Sequence, residues 1–216
     1  MVAAARERGD GAEHAPEALA ARPPLPARIG AVVIGASAGA VDALGLLLPQ
    51  LPASTPWPVI IVVHLPATQP SLLASLFSRR CPLRVLEPQD KQPLAPGIWF
   101  APPDYHLLLE RDRSFSLSID APVNHSRPSI DVLFESAADV YSAQLVGVVL
   151  TGANSDGASG AKAIRAAGGF VMVQDPATAE AAAMPAFAIE QAQPQWIASL
   201  PQIAQALREA ALVSQP

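Results

Sequence analysis

Ser37, His64 and Asp156 are a serine, a histidine and an aspartate that each follow a short apolar run. The runs that precede them are Val32–Ile34, Ile60–Val63 and Val148–Leu150. A serine hydroxyl is a weak nucleophile near neutral pH and needs a base, usually a histidine whose tautomer is held by a carboxylate. These residue types therefore predict nucleophilic hydrolysis, with Ser37 as nucleophile, His64 as base and Asp156 as the orienting carboxylate.

The surroundings of Ser37 suit a substrate that develops negative charge. Ser37 lies in Gly35-Ala36-Ser37-Ala38-Gly39, between an apolar run and a predicted helix, and its small neighbours let a substrate approach the backbone. Amides at the start of a helix point toward incoming negative charge. We expect the loop 151–154, which precedes Asp156, to add further backbone donors at the same place.

Each of these loops also has a simpler interpretation. Gly35 and Gly39 after an apolar run are shared with dinucleotide-binding loops, which makes a dinucleotide-dependent oxidoreductase an alternative. In such enzymes the second strand usually ends in an acidic residue that binds the ribose, whereas here it ends in His64. A histidine at a strand end is often structural, and Asp156-Gly157 is typical of a turn or a helix cap. The combination of all three loops carries the prediction.

The elements that would position these residues alternate between short apolar runs and helical patterns, which predicts an α/β fold with a doubly wound, mostly parallel sheet and helices on both faces. The predicted strands are 31–35, 58–63, 83–86, 97–101, 145–150 and 170–173, and the predicted helices are 38–48, 69–79, 129–142, 157–167 and 201–212. Residues 105–118 break this alternation and predict a β-hairpin. Since ligands bind beyond the carboxyl ends of parallel strands, the three loops can converge on one site.

Composition limits the possible functions. The chain has 216 residues, half of them hydrophobic, which is enough for one well-packed domain. A formal net charge of -5 gives no basic field for nucleic acid, and no apolar run reaches the length of a membrane span. The single cysteine, Cys81, and the absence of metal-ligand spacing in the sequence predict neither a disulfide nor a metal site.

The chain divides into two parts. Residues 1–28 are rich in Ala, Pro, Arg and Glu without a sustained apolar face, which predicts a flexible N-terminal arm, and residues 29–216 form the predicted catalytic domain. Charged residues interrupt the N-terminus where the core of a signal peptide would lie, so we expect a cytoplasmic protein.

With these motifs in view, the chain resembles the catalytic domain of the bacterial chemotaxis protein-glutamate methylesterase family over roughly residues 30–195. The resemblance rests on several motifs in the same order along the chain. They are Gly35–Gly39, the run ending at His64, Ala101–Asp104, Arg127–Phe134, Leu150–Gly157, Gln174–Pro176 and Met184-Pro185.

The resemblance implies the same triad, Ser37, His64 and Asp156, and an activity. Members of this family hydrolyse γ-methyl esters of glutamates on the cytoplasmic helices of chemoreceptors and release methanol, and some also deamidate receptor glutamines. It implies neither an organic cofactor nor a metal, and its expected partner is the methylated receptor. His125 and Arg127 precede the helix at Ser129 and are candidates for lining the cleft, with Arg127 attracting acidic residues near a methylation site. The alternative for Arg127 is that it only braces its own loop.

The chain departs from the family pattern in two respects. Many members have threonine and methionine where this chain has Ala38 and Ala153, so the side-chain contributions of these two positions to the substrate and oxyanion site differ. A catalytically silent receptor-binding module is therefore a second alternative. A phosphorylatable receiver domain also usually precedes the esterase domain, and the short arm here leads us to expect no phosphorylation control in cis.

Overall fold

A computed structural model describes residues 22–64 and 71–213, in which the chain forms nine strands and six α-helices. The strands are β1 (Ala31–Ala36), β2 (Pro58–Val63), β3 (Val85–Leu86), β4 (Gly97–Phe100), β5 (His106–Leu109), β6 (Phe115–Ser118), β7 (Leu145–Val149), β8 (Phe170–Gln174) and β9 (Trp196–Ala198). The helices are α1 (Ala40–Leu47), α2 (Leu73–Ser78), α3 (Ile130–Tyr141), α4 (Ala158–Ala166), α5 (Ala183–Ala192) and α6 (Leu200–Val213).

Seven strands form one parallel sheet in the order β3-β4-β2-β1-β7-β8-β9. From β1 the chain first builds outward through β2 and β4, and it later returns to place β7 on the other side of β1. The strand order therefore reverses between β1 and β7, and a crevice opens at their carboxyl ends. Ser37 directly follows β1, and the loop carrying Asp156 follows β7, so this reversal determines where the site lies.

Alternating strand residues point into two core layers, which is why the strands are apolar along their whole length. In β1, Val32 and Ile34 pack into one layer, while Ala31 and Val33 pack into the other. The first layer includes residues of α1, α2 and α6, and the second includes residues of α3, α4, α5 and the hairpin. Helices therefore cover both faces of the sheet, as the sequence predicts.

The described residues contain all the predicted strands and helices, with ends that differ by a few residues. Residues 69–70 of the predicted helix 69–79 lie outside the described residues. The hairpin at 105–118 is confirmed as the antiparallel pair β5 and β6. Helix α5 and strand β9 are absent from the sequence prediction. Helix α5 carries Pro185 in its first turn and has a weak apolar pattern, and β9 has only three residues, so neither gives a clear periodic signal.

Most of the predicted N-terminal arm, residues 1–21, lies outside the described residues. The part that is described lies along α6: Arg22 forms an ion pair of 2.6 Å with Glu209, and Leu25 packs against the core layer that contains α6. The described helices include none that is both long enough and apolar enough to span a bilayer.

Candidate active site

Ser37 lies at the point where β1 turns into α1. Its backbone amide donates to the carbonyl of Thr151, at 2.9 Å, which ties the loop after β1 to the loop after β7. The turn then passes through Gly39, whose φ of 77° is in the left-handed region that favours glycine, and α1 begins at Ala40. The Ser37 hydroxyl makes no hydrogen bond to any described residue. Ser37 therefore stands at a helix entrance with an uncommitted hydroxyl.

His64 follows the last residue of β2, and both of its ring nitrogens face the loop after β7. Nε2 lies 2.8 Å from Oδ2 of Asp156, and Nδ1 lies 3.3 Å from the side-chain amide nitrogen, Nδ2, of Asn154. The carboxylate of Asp156 accepts hydrogen bonds, so the ring donates from Nε2. The tautomer with its proton on Nε2 leaves the lone pair on Nδ1, which makes Nδ1 the basic nitrogen of this ring.

Asp156 is completely buried and lies at the N-terminus of α3. Six groups donate hydrogen bonds to its two oxygens. They are Nε2 of His64, Nδ2 of Asn124, Oγ of Ser129, and the backbone amides of Ile130, Asp131 and Gly157. Burial alone would raise the pKa of Asp156, but the bonds from His64, Ile130 and Asn124 outweigh it and hold that pKa below the usual value. A charged carboxylate therefore anchors His64.

The start of α3 explains how a buried carboxylate is stabilised there. The first amides of a helix have no partner inside the helix, and they favour negative charge. Ser129, at the N-cap position, gives its hydroxyl to Asp156 instead of capping its own helix. Asp156, which is distant in sequence, supplies the cap, and this contact locks the loop after β7 onto α3.

A second carboxylate, Asp131, lies beside Asp156. The amide of Asn124 bridges the two carboxylates, at 2.8 Å from Oδ2 of Asp131 and 3.1 Å from Oδ1 of Asp156. Burial raises the pKa of Asp131 to about 6, with the charge of Asp156 adding to the rise and a hydrogen bond from the Gly160 amide opposing it. Asn124 was not among the residues predicted from the sequence, because its contribution depends on a left-handed turn, with a φ of 50°.

A cleft of about 350 Å³ opens in front of His64. Its lining residues are His64, Asp104, Pro122, His125, Ser126, Arg127 and Pro128. All three guanidinium nitrogens of Arg127 donate to neighbouring groups of the protein. Nε and Nη2 donate to Asp104 at 3.0 and 2.6 Å, and Nη1 donates to the carbonyls of Ile119 and Asp120. Arg127 thus braces the wall of the cleft, and its predicted contact with a substrate stays a prediction.

The other predicted site residues are exposed around the same crevice. His125 lines the cleft in a left-handed conformation, with a φ of 62°. Ala38 and Ala153 are both exposed, in the loops after β1 and β7. Among the described residues, the backbone amides of Ala38 and Ala153 have no hydrogen-bond acceptor. One unpaired backbone donor therefore lies directly after Ser37, and another lies in the loop after β7.

Within the loop 151–154, the backbone amides of the first two residues are not free donors. The amide of Thr151 donates to Oε1 of Gln174, and the amide of Gly152 donates to the carbonyl of Ala181. Thr151 instead uses its hydroxyl to hold the carbonyl of Ala38, at 2.8 Å. These residues position the loop around Ser37, and their amides are committed to the fold.

Two other kinds of catalytic group, a metal ion and a second histidine, can be checked in the part of the chain that the structure describes. Residues 22–64 and 71–213 contain no cluster of three or more His, Cys, Asp or Glu side chains that could hold a metal ion. His106, which could be mistaken for a second catalytic histidine, is a buried residue of β5. Its ring binds the carbonyl of Ala121 and accepts from the amide of Ser129, so it supports the loop that carries Asn124.

Comparisons with known proteins agree with this architecture. The family model for CheB methylesterase matches residues 32–207. The crystal structure of the Thermotoga maritima CheB methylesterase catalytic domain is similar with a TM-score of 0.80 and 31% identity, over 84% of this chain and 98% of that one.

Curated relatives give the same result. A Leptospira interrogans protein, named provisionally as a protein-glutamate methylesterase/protein-glutamine glutaminase, is 47% identical over 81% of this chain and 91% of its own length. A Trichodesmium erythraeum protein with the same two activities in its name is 40% identical over 71% of this chain, which covers 45% of that protein. The chain belongs to the CheB methylesterase family, a family of hydrolases that cleave carboxylic esters.

Proposed function

We propose that the chain hydrolyses γ-methyl esters of glutamate side chains in proteins and releases methanol, with Ser37 as the nucleophile, His64 as the base and Asp156 as the orienting carboxylate. The observation that carries this proposal is the 2.8 Å contact between Nε2 of His64 and the fully buried Asp156, at the same strand ends where Ser37 precedes α1 with no hydrogen-bond partner for its hydroxyl among the described residues. A charged, immobile carboxylate on one ring nitrogen leaves the other nitrogen basic, which a serine nucleophile requires.

In the first half of the reaction, Oγ of Ser37 attacks the ester carbonyl while its proton passes to Nδ1 of His64. Asp156 holds the resulting imidazolium through Nε2. The free amides of Ala38 and Ala153 are our candidates for binding the oxyanion of the tetrahedral intermediate. The intermediate collapses, and the leaving methoxide takes the proton from Nδ1 and departs as methanol.

In the second half, water attacks the glutamyl ester of Ser37. His64 takes a proton from this water through Nδ1 and returns it to Ser37, so that the glutamate carboxylate is released and the enzyme is restored. Attack of Ser37 on the side-chain amide of glutamine would follow the same steps and release ammonia, which corresponds to the second activity in the names of the relatives.

For the substrate, we propose the methylated cytoplasmic helices of chemoreceptors. The cleft in front of His64 would take the methylated side chain, and His125 and Arg127 on its wall would face the acidic residues next to it. The support for Arg127 is its place in the cleft wall, although Asp104 already neutralises much of its charge.

The deciding experiment is Ser37→Ala, assayed by methanol release from a methyl-labelled receptor fragment. We expect turnover to fall by several orders of magnitude with an unchanged circular dichroism spectrum, because the hydroxyl is the attacking group. Ser159→Ala, an exposed serine on α4, is the matched control and should keep the parent rate. A Ser37→Ala variant with most of its activity would remove Ser37 from the mechanism, and a parent that binds the fragment without releasing methanol would favour a silent binding module.

A further inference from the structure

The loop after β7 holds the ring of His64 at both nitrogens. Asp156 binds Nε2 at 2.8 Å, and the side-chain amide of Asn154 approaches Nδ1 at 3.3 Å. The orientation of that amide is fixed, because Oδ1 of Asn154 accepts a hydrogen bond from the backbone amide of Asp156, at 3.2 Å. The oxygen of the Asn154 side chain faces its own loop, so its NH₂ group faces His64.

The side-chain amide of Asn154 occupies the hydrogen-bonding position at Nδ1 of His64 that the proposed proton transfer from Ser37 needs. With its proton on Nε2, the ring accepts through Nδ1, and the amide of Asn154 is the donor it accepts from. The Ser37 hydroxyl, which would give its proton to Nδ1, has no hydrogen-bond partner among the described residues. Asn154 and Ser37 therefore compete for one lone pair.

We propose that Asn154 is a positioning residue that latches His64 in the free enzyme and leaves Nδ1 before Ser37 can transfer its proton. The inference rests on the proposed roles of Ser37 and His64. The two contacts differ in length and in the burial of the group that holds the ring. The bond to Asp156 is short and its acceptor is fully buried, whereas the bond from Asn154 is long for a hydrogen bond and its donor is half-buried. Asp156 holds the ring permanently, and Asn154 holds it reversibly.

Asn154→Ser separates the latch from the shape of the loop. A serine hydroxyl can replace Oδ1 as the acceptor for the Asp156 amide, but it is too short to reach His64. Ser155→Ala is the matched control, since Ser155 lies in the same loop and its side chain has no hydrogen bond to the described residues.

The rate to measure is the modification of Ser37 by phenylmethylsulfonyl fluoride. In this reaction an Oγ–S bond forms, fluoride leaves and the hydroxyl proton passes to His64, without any contact to a receptor. We expect Asn154→Ser to react about two- to tenfold faster than the parent, as expected when one weak competing hydrogen bond is removed. Ser155→Ala should react at the parent rate, and methanol release should follow the same order.

A spectroscopic readout separates the latch from a general effect on folding. In protein with ¹⁵N-labelled histidine, the Nδ1 resonance of His64 should move in Asn154→Ser, while the protonated Nε2 resonance keeps its position because Asp156 still binds it. A variant that only loosened the loop would shift both resonances.

A slower or unchanged sulfonylation rate in Asn154→Ser, or an unmoved Nδ1 resonance, would overturn the latch. A slower rate would instead give Asn154 a role in stabilising the transition state. Failure of the proposed function looks different: the parent and Ser37→Ala would then be labelled equally and neither would release methanol, and the latch would fail with it.

Discussion

At the scale of single residues, Asp156 connects three parts of the site that are far apart in sequence. It orients His64, which follows β2, it caps α3 through the amides of Ile130 and Asp131, and it accepts from Asn124 in the loop before α3. A carboxylate suits this role, because both of its oxygens accept hydrogen bonds and neither carries a hydrogen when ionised. The same contacts that stabilise the fold therefore fix the direction of the His64 ring.

Asp156→Asn should lower methyl-ester turnover by about 10³- to 10⁴-fold while the protein still folds. The amide that replaces one oxygen would donate toward His64 and favour the wrong tautomer, and it would face donors that need an acceptor. Methanol release measures the effect, and thermal unfolding reports the cost to stability. Asp175→Asn is the control, because Asp175 caps the short helical turn after β8 through the amide of Ala177. Parent-like activity in Asp156→Asn together with an inactive Asp175→Asn would show that the carboxylate is assigned to the wrong loop.

The sequence predicted Ser37, His64 and Asp156 as site residues, because each follows an apolar run and parallel strands bring their carboxyl ends together. The structure places His64 against Asp156, and the catalytic roles of the three residues stay a prediction. The sequence could not find Asn124 or Asn154. Both act through turns whose conformation depends on contacts formed only in the folded protein: Asn124 is in a left-handed turn, and the amide of Asn154 is aimed by the backbone of Asp156. Asparagine is common in such turns for purely local reasons, so its presence alone indicates nothing about chemistry.

At the scale of elements, the surroundings of the two buried carboxylates depend on close contact between α3 and α4. Gly160 of α4 lies so near α3 that a Cβ atom there would be 2.5 Å from Cβ of Phe134 and 3.1 Å from the backbone of Asp131. This approach lets the Gly160 amide reach Oδ1 of Asp131, at 2.7 Å. The packing of two helices therefore sets the surroundings of the carboxylate pair.

Gly160→Ala should destabilise the protein by about 1–3 kcal/mol, since the added methyl group forces α4 away from α3. Gly45→Ala in α1 is the matched control, because the nearest atom to a Cβ there is Nη1 of Arg80, at 3.7 Å. That variant should gain about 0.5–1 kcal/mol, as expected for alanine in an unobstructed helix. Urea unfolding measures both free energies. Equal changes in the free energy of unfolding for the two variants would mean that the close approach of α3 and α4 does not determine the effect of the added methyl group.

The scale of elements is also where the sequence prediction is most complete. Runs such as 58–63 and 145–149 are apolar throughout because both of their faces are buried, and this pattern is visible without a structure. Helix α5 and strand β9 were missed because they are stabilised by their neighbours more than by their own sequence. Met184 of α5, for example, packs against Gly152, and β9 is held by its pairing with β8.

At the scale of the whole molecule, the two buried carboxylates make stability depend on pH in opposite directions. The pKa of Asp131 is raised to about 6 in the folded protein, from an ordinary value of 3.8, so between these values the folded state keeps a proton that the unfolded chain has lost. Stability from this group is therefore present at low pH and declines as the pH rises from about 4 to 6. The pKa of Asp156 is lowered, so its contribution is present at neutral pH and is lost only as the pH falls below its ordinary value of 3.8.

The pH ranges in which Asp131 and Asp156 affect stability can be separated with Asp131→Asn. This variant removes the titration of Asp131 and leaves Asp156 in place. Relative to the parent, the free energy of unfolding of this variant should rise by about 2 kcal/mol between pH 4 and pH 7, which is most of the effect of the roughly two-unit rise in the pKa of Asp131. Urea unfolding at several pH values gives this difference directly, and Asp139→Asn, an exposed change on the same helix, should give a curve parallel to that of the parent. Parallel curves for Asp131→Asn and the parent would mean that Asp131 is already charged at pH 4 in the folded protein. The amides of Asn124 and Gly160 would then outweigh its burial, and the site would hold two carboxylates in their charged form throughout the pH range in which the protein is folded.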